Sequence, residues 1–235
     1  MWAPLLVSIA VLIGANAIGA HLDGARYIGV NLAATACLLG VAAWAGLSAA
    51  DLGLATSTLG AGAAWGLAAA LIVVVTFTVG ASVPRTRGAF RDQRVASEPP
   101  AATWRRALVT LPLGTVVLEE VAFRSVLLGL GRAQWSTVAA VAGSSLLFGL
   151  WHLRSAGDAH QANPHAVDAL SGTRGRIAAI AIVVLSTGAA GVLLCWLRLR
   201  SGSLLAPALL HFSVNATGLA LAMMVARQDR NRAGA

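Results

Sequence analysis

The chain has 235 residues, 57% of them hydrophobic and only 11% charged, with a formal net charge of +8. Soluble domains carry roughly 25% charged residues, so composition excludes a soluble fold and points to a bilayer as the solvent for this much apolar surface. All 17 basic residues are arginine, and they sit mainly between apolar runs, which reads as membrane orientation and argues against nucleic acid as a partner.

A helix needs about 20 mostly apolar residues to cross the hydrocarbon core. The first such segment is Trp2–Ala20. It lacks a basic start and a small-residue cleavage site, so it is expected to be a retained helix and not a signal peptide. Ile28–Ala49 and Ala61–Val83 follow, and residues 1–83 read as three bland helices. Between the last two, Asp51–Gly60 fits an interfacial turn, an extension of the third helix, or an eighth, re-entrant element. Residues 84–111 hold six arginines and Glu98-Pro99-Pro100, and are predicted to be a cytoplasmic linker within one domain. Four more spans complete the row: Pro112–Leu130, Trp135–Leu153, Ile177–Leu197 and Leu204–Ala226. The expected fold is all-α: a single polytopic membrane domain over residues 1–235, with seven spans, or eight if the re-entrant element forms.

Smaller features have plain readings. Cys37 and Cys195 lie in apolar segments without partner spacing and are expected to pack as small core residues. Trp2, Trp104, Trp135 and Trp151 fall near span ends, where interfacial anchoring accounts for them. His160 and His165 lie in the polar stretch 154–176 and read as solvated loop residues. With seven spans, thirteen arginines fall on one side, against Arg132, Arg198 and Arg200 on the other, with Arg124 inside a span. The positive-inside bias then puts the C-terminus in the cytoplasm and the N-terminus outside.

Chemistry concentrates in residues 112–226. The fourth span carries Glu119, Glu120 and Arg124 in an otherwise apolar run. Each charge at mid-bilayer costs about 2.5–3.5 kcal/mol or more on insertion scales. Glu120 and Arg124 are four residues apart, share a helix face and can pair. Glu119 is turned about 100° away and is free to face something else. The fifth span ends Phe148-Gly-Leu-Trp-His152, and the seventh carries His211 and Asn215, again four apart. If the fourth helix starts at Pro112, a favoured first position, Glu119 lies about 10 Å in from the cytoplasmic side, and His211 about 10 Å in from the other. Glu119, His152, His211 and Asn215 can then meet in a polar cavity open to the cytoplasm.

Such a cluster suits hydrolysis. A glutamate with a histidine can hold and deprotonate a water, and a second histidine with an asparagine can donate to an oxyanion. A carboxylate with two imidazoles is also a catalytic zinc set, although the His-Glu-x-x-His helix of zinc peptidases is absent.

At these residues the sequence resembles the CAAX prenyl protease and bacteriocin-processing (CPBP, Abi) family of intramembrane endopeptidases. The family's motifs, Glu-Glu-x-x-x-Arg, Phe-x-x-x-His and His-x-x-x-Asn, stand here as Glu119, Glu120 and Arg124, then Phe148 and His152, then His211 and Asn215. Ser203-Leu204-Leu-Ala-Pro207 matches the turn that often precedes the last motif, and the resemblance covers roughly residues 112–219. It implies that Glu119 and His152 activate water, that His211 and Asn215 form the oxyanion site, and that Glu120 and Arg124 brace the architecture. The family is labelled metalloprotease, and a metal-free glutamate mechanism is also argued for it; the residues leave both open, with zinc the metal to consider.

The expected activity is therefore endopeptidase cleavage of a peptide or membrane-anchored protein, with that substrate and the lipid bilayer as partners. Two other readings compete. A non-catalytic scaffold or immunity protein using the same cluster would keep its function in Glu119→Gln. A proton-coupled carrier would need intramembrane Glu and His, but usually shows internal repeats, and the sequence has none.

Overall fold

The computed structural model describes residues 2–154 and 172–233. Among them there is no strand, and each of the seven expected apolar segments coincides with a helix. These are α1 (Trp2–Gly19), α2 (Gly24–Trp44), α3 (Leu59–Ser82), α4 (residues 100–132), α5 (Thr137–Trp151), α6 (Gly172–Ser201) and α7 (Leu205–Ala233). Five helical stretches are long and apolar enough to cross a membrane, α5 is a shorter apolar helix, and α4 carries the charged motif. The outward face of α3 presents Leu67, Leu71, Ile72 and Val79, each more than half exposed. In water such a patch would drive aggregation; in lipid it is the solvated surface. The chain is an all-α polytopic membrane protein.

The bundle is built around α4. Every residue from Leu118 to Gly131 is buried, so the charges of this helix face protein on all sides and not lipid. That is the arrangement in which intramembrane charges can be tolerated. The start of α4 corrects the sequence expectation: the helical run begins at Pro100, which takes the first helical position, and Pro112 lies inside it. A proline there has no N–H to give and its ring crowds the preceding turn. The helix widens to π geometry over Arg106–Val116, and again over Glu120–Leu127, a local loosening that often accompanies functional sites.

The stretch after α2 is a turn, not an eighth span. Ser48 and Asp51 cap the short helix Ala49–Leu52 reciprocally, and Gly53 ends it at φ +71°, a conformation glycine takes without steric penalty. Arg198, expected in a loop, is instead a buried residue of α6. Its Nη2 donates to the carbonyls of Ala50 (3.1 Å) and Asp51 (2.9 Å). Its head lies where any side chain at position 53 would be.

The linker is mostly helical and is fastened to the end of α7. Arg87 and Arg91 pair with Asp229 at 2.8 and 3.0 Å, and Val95 packs against Ala222 and Met223. At the opposite end of the bundle, Trp2 stacks on Trp135 with centroids 5.4 Å apart.

Small residues set the closest helix approach. A Cβ on Gly66 of α3 would lie 2.7–3.1 Å from Leu209 and Ala206 of α7, whereas a Cβ on Gly60 would meet nothing within 4 Å. Gly62 and Gly66 therefore form a small-xxx-small seam against the helix that carries His211. Gly66→Ala is expected to destabilise the protein by about 1–3 kcal/mol through overpacking, and Gly60→Ala to leave it unchanged. Thermal unfolding of the two variants in detergent checks this.

Candidate active site

Three helices bring the motif residues together. Glu119, Glu120 and Arg124 come from the centre of α4, Phe148, Trp151 and His152 from the end of α5, and His211 and Asn215 from the middle of α7. Glu120 and Arg124 pair on one face, Nη1 to Oε1 at 3.1 Å, both fully buried. Glu120 Oε1 also faces Nδ1 of His211 at 2.7 Å. A carboxylate oxygen accepts, so His211 donates from Nδ1 and turns Nε2 toward the cavity.

Glu119 points the other way, as its rotation around the helix predicts. Its Oε1 accepts from the indole N–H of Trp151 at 2.9 Å. Its Oε2 is buried and makes no hydrogen bond among the described residues. That oxygen lies 3.7 Å from His211 Nε2 and 3.9 Å from His152 Nε2. His152 Nδ1 is 2.8 Å from the Phe148 carbonyl, which can only accept. The proton of the neutral ring is thereby placed on Nδ1 and the lone pair on Nε2, facing Glu119. Phe148 touches three members of the cluster: its ring centroid lies 4.6 Å from His152 and 6.1 Å from His211, both near-perpendicular, and Arg124 Cζ lies over the ring at 3.8 Å.

The cluster opens into a cavity of about 270 Å³ bordered by Glu119, Trp151, His152, His211 and Asn215. This is several times the ~30 Å³ share of one water molecule. Asn215 also borders a second cavity of about 660 Å³ between α3, α7 and the linker. Three wall residues were not foreseen. The first two helices, expected to be bland, supply Asn16, Tyr27 and Asn31. Asn31 donates to the Gly114 carbonyl at 2.7 Å, and the Tyr27 hydroxyl meets Thr115 Oγ1 at 3.1 Å. An isolated Asn in an apolar helix was the available signal, since an amide in hydrocarbon needs a partner. Trp151, expected to be an interfacial anchor, is a partner of Glu119. His160 and His165 lie outside the described residues.

Among the described residues, no three His, Cys, Asp or Glu side chains are arranged to hold a metal ion. The zinc reading gains no support from the described residues, and the chemistry below runs through the chain's own groups.

A buried acid–imidazole cluster lies within a bundle of membrane helices, and the chain is an integral membrane protein with a polar site at its centre. Residues 101–217 match the family model described as type II CAAX prenyl endopeptidase Rce1-like. The chain carries this Rce1-like protease-family domain, which spans just under half its length and holds every motif residue. No curated protein and no solved structure matches the chain.

Proposed function

We propose that the protein is an intramembrane endopeptidase that hydrolyses a peptide bond of a membrane-associated or peptide substrate. The observation that carries this is Glu119 Oε2: buried, without a hydrogen bond among the described residues, and within 4 Å of the Nε2 atoms of His152 and His211. A water seated there donates one hydrogen to Glu119 Oε2 and the other to His152 Nε2, which leaves a lone pair for the scissile carbonyl carbon. As the C–O bond forms, Glu119 takes the water's proton. The carbonyl oxygen becomes an oxyanion, which accepts hydrogen bonds from His211 Nε2–H and from the Asn215 amide. For this His211 is doubly protonated, with Glu120 as counter-ion on its Nδ1 side. Collapse breaks the C–N bond, and the proton held by Glu119 passes to the leaving amine.

Glu120, Arg124 and Phe148 hold this set in register without touching the reacting atoms. The two cavities that meet at Asn215 leave room for chain on both sides of the scissile bond. The positive-inside bias puts the arginine-rich end of the bundle in the cytoplasm, with the C-terminus. The cavity, bordered by Arg154 at that end, then opens to the cytoplasm.

The test is cleavage itself. Purified protein in nanodiscs is mixed with peptides ending in Cys-aliphatic-aliphatic-X, with and without a farnesyl group, and with unprenylated membrane-segment peptides. The run is made in ¹⁸O-labelled water and read by mass spectrometry. The expected result is one new amine and one new carboxylate carrying a single ¹⁸O. Folded protein that cuts none of the panel would count against the proposal.

A further inference from the structure

Trp151 has no part in the scheme above, yet its surroundings are not those of an anchor. Its half-buried indole packs edge-on against Phe123, with centroids 5.9 Å apart, and gives its N–H to Glu119 Oε1 at 2.9 Å. Its backbone carbonyl accepts from Asn16 Nδ2 at 3.5 Å, and Arg154 Nη1 donates to the Asn16 carbonyl at 2.9 Å. The end of α5 is tied to α1 through the Trp151 carbonyl and through Arg154 just beyond it. The ring also forms part of a wall. The polar cavity lies on one side, and on the other an apolar groove of about 420 Å³, lined by Leu12, Ile13, Leu147 and Leu150.

A carboxylate has two equivalent oxygens and a soft terminal torsion, so geometry must select the one that meets water. His152, His211, Glu120, Arg124 and Arg154 all stand around this site, but the bond to Oε1 comes from Trp151, and Oε2 accepts none among the described residues. An indole N–H donates and never accepts. It can fix an oxygen without competing for the water's proton.

We propose that Trp151 is a positioning residue: its indole N–H holds Oε1 of Glu119 and so presents Oε2 to the edge shared by His152 and His211. This rests on reading Glu119 as the base that activates water. Removing the N–H leaves substrate binding intact and disorders the base, so the loss falls on kcat and not on KM.

The test compares three proteins with the wild type: Trp151→Phe, Trp151 replaced by its benzothienyl isostere, and Glu119→Gln. The isostere keeps the bicyclic ring and lacks only the N–H. Both changes at position 151 are expected to lower kcat about 10- to 100-fold with KM within about threefold, and to leave the melting point of the isostere unchanged. An isostere with wild-type kcat would overturn the inference and make the ring's packing its only role. A rise in KM at constant kcat would overturn it in favour of a substrate contact. If Glu119→Gln is itself fully active, the assignment of the base falls, and this inference with it. If Glu119→Gln is inactive while the isostere is not, only the inference falls.

Discussion

Glu119→Gln is expected to lower kcat by about 10²- to 10⁴-fold, the range of a lost general base, without lowering thermal stability. The substitution keeps the volume of the side chain, and the amide oxygen can still accept from Trp151 at the Oε1 position. What changes is the other atom. In place of Oε2 the amide presents an NH₂ donor to His152 Nε2 and cannot take a proton from water. Stability should hold because Glu119 is next to Glu120 in a buried run where no bond among the described residues satisfies its second oxygen, and removing one of two neighbouring charges relieves a repulsion. His152→Ala should lose a similar factor. The double variant should be no worse than the worse single, since groups acting on one water are not additive. Steady-state rates on any cleaved peptide, together with melting curves, decide the matter; a Glu119→Gln protein with wild-type kcat would end the hydrolytic reading.

The sequence showed the frame of this site and hid its fastenings. Seven apolar runs were legible because hydrocarbon thickness fixes span length, and the Glu120–Arg124 pair was legible because helical spacing is local. The turn of Glu119 away from that pair followed from the same 100° step. Contacts that cross between helices were not legible. His211 could be placed on α7 but not across both glutamates, because the register between α4 and α7 is set by packing between helices and not by local sequence. Trp151 sits at a span end, where tryptophan usually anchors, and only the approach of α5 to α4 reveals its bond to Glu119. Pro112 looked like a helix start because proline favours first positions; the widened turn that accommodates it inside α4 has no local sequence signature. Arg198 looked like a loop charge because nothing before folding shows the carbonyls of Ala50 and Asp51 waiting for it.

Arg124→Ala is expected to be the most destabilising single change in the site, by about 3–5 kcal/mol, the usual cost of removing one partner of a buried ion pair. Arg124 is fully buried and 3.1 Å from Glu120 Oε1, yet none of its guanidinium nitrogens makes an aligned hydrogen bond among the described residues. The distance makes an ion pair; the angle does not make a hydrogen bond. Two things then remain for the side chain to do: neutralise Glu120, and stack over the Phe148 ring with Cζ 3.8 Å from its centroid. Substitutions separate the two. Arg124→Lys keeps the charge but loses the planar stack, and should cost least. Arg124→Met keeps much of the stem's volume but leaves Glu120 without its guanidinium partner, and should cost nearly as much as alanine. If charge dominates, adding Glu120→Gln to Arg124→Met recovers most of the lost melting temperature, because the uncompensated carboxylate is gone. If stacking dominates, the second change recovers nothing and Arg124→Lys is as damaged as Arg124→Met. Either pattern would explain how an arginine survives at the centre of a membrane bundle; an Arg124→Ala protein that melts like the wild type would fit neither.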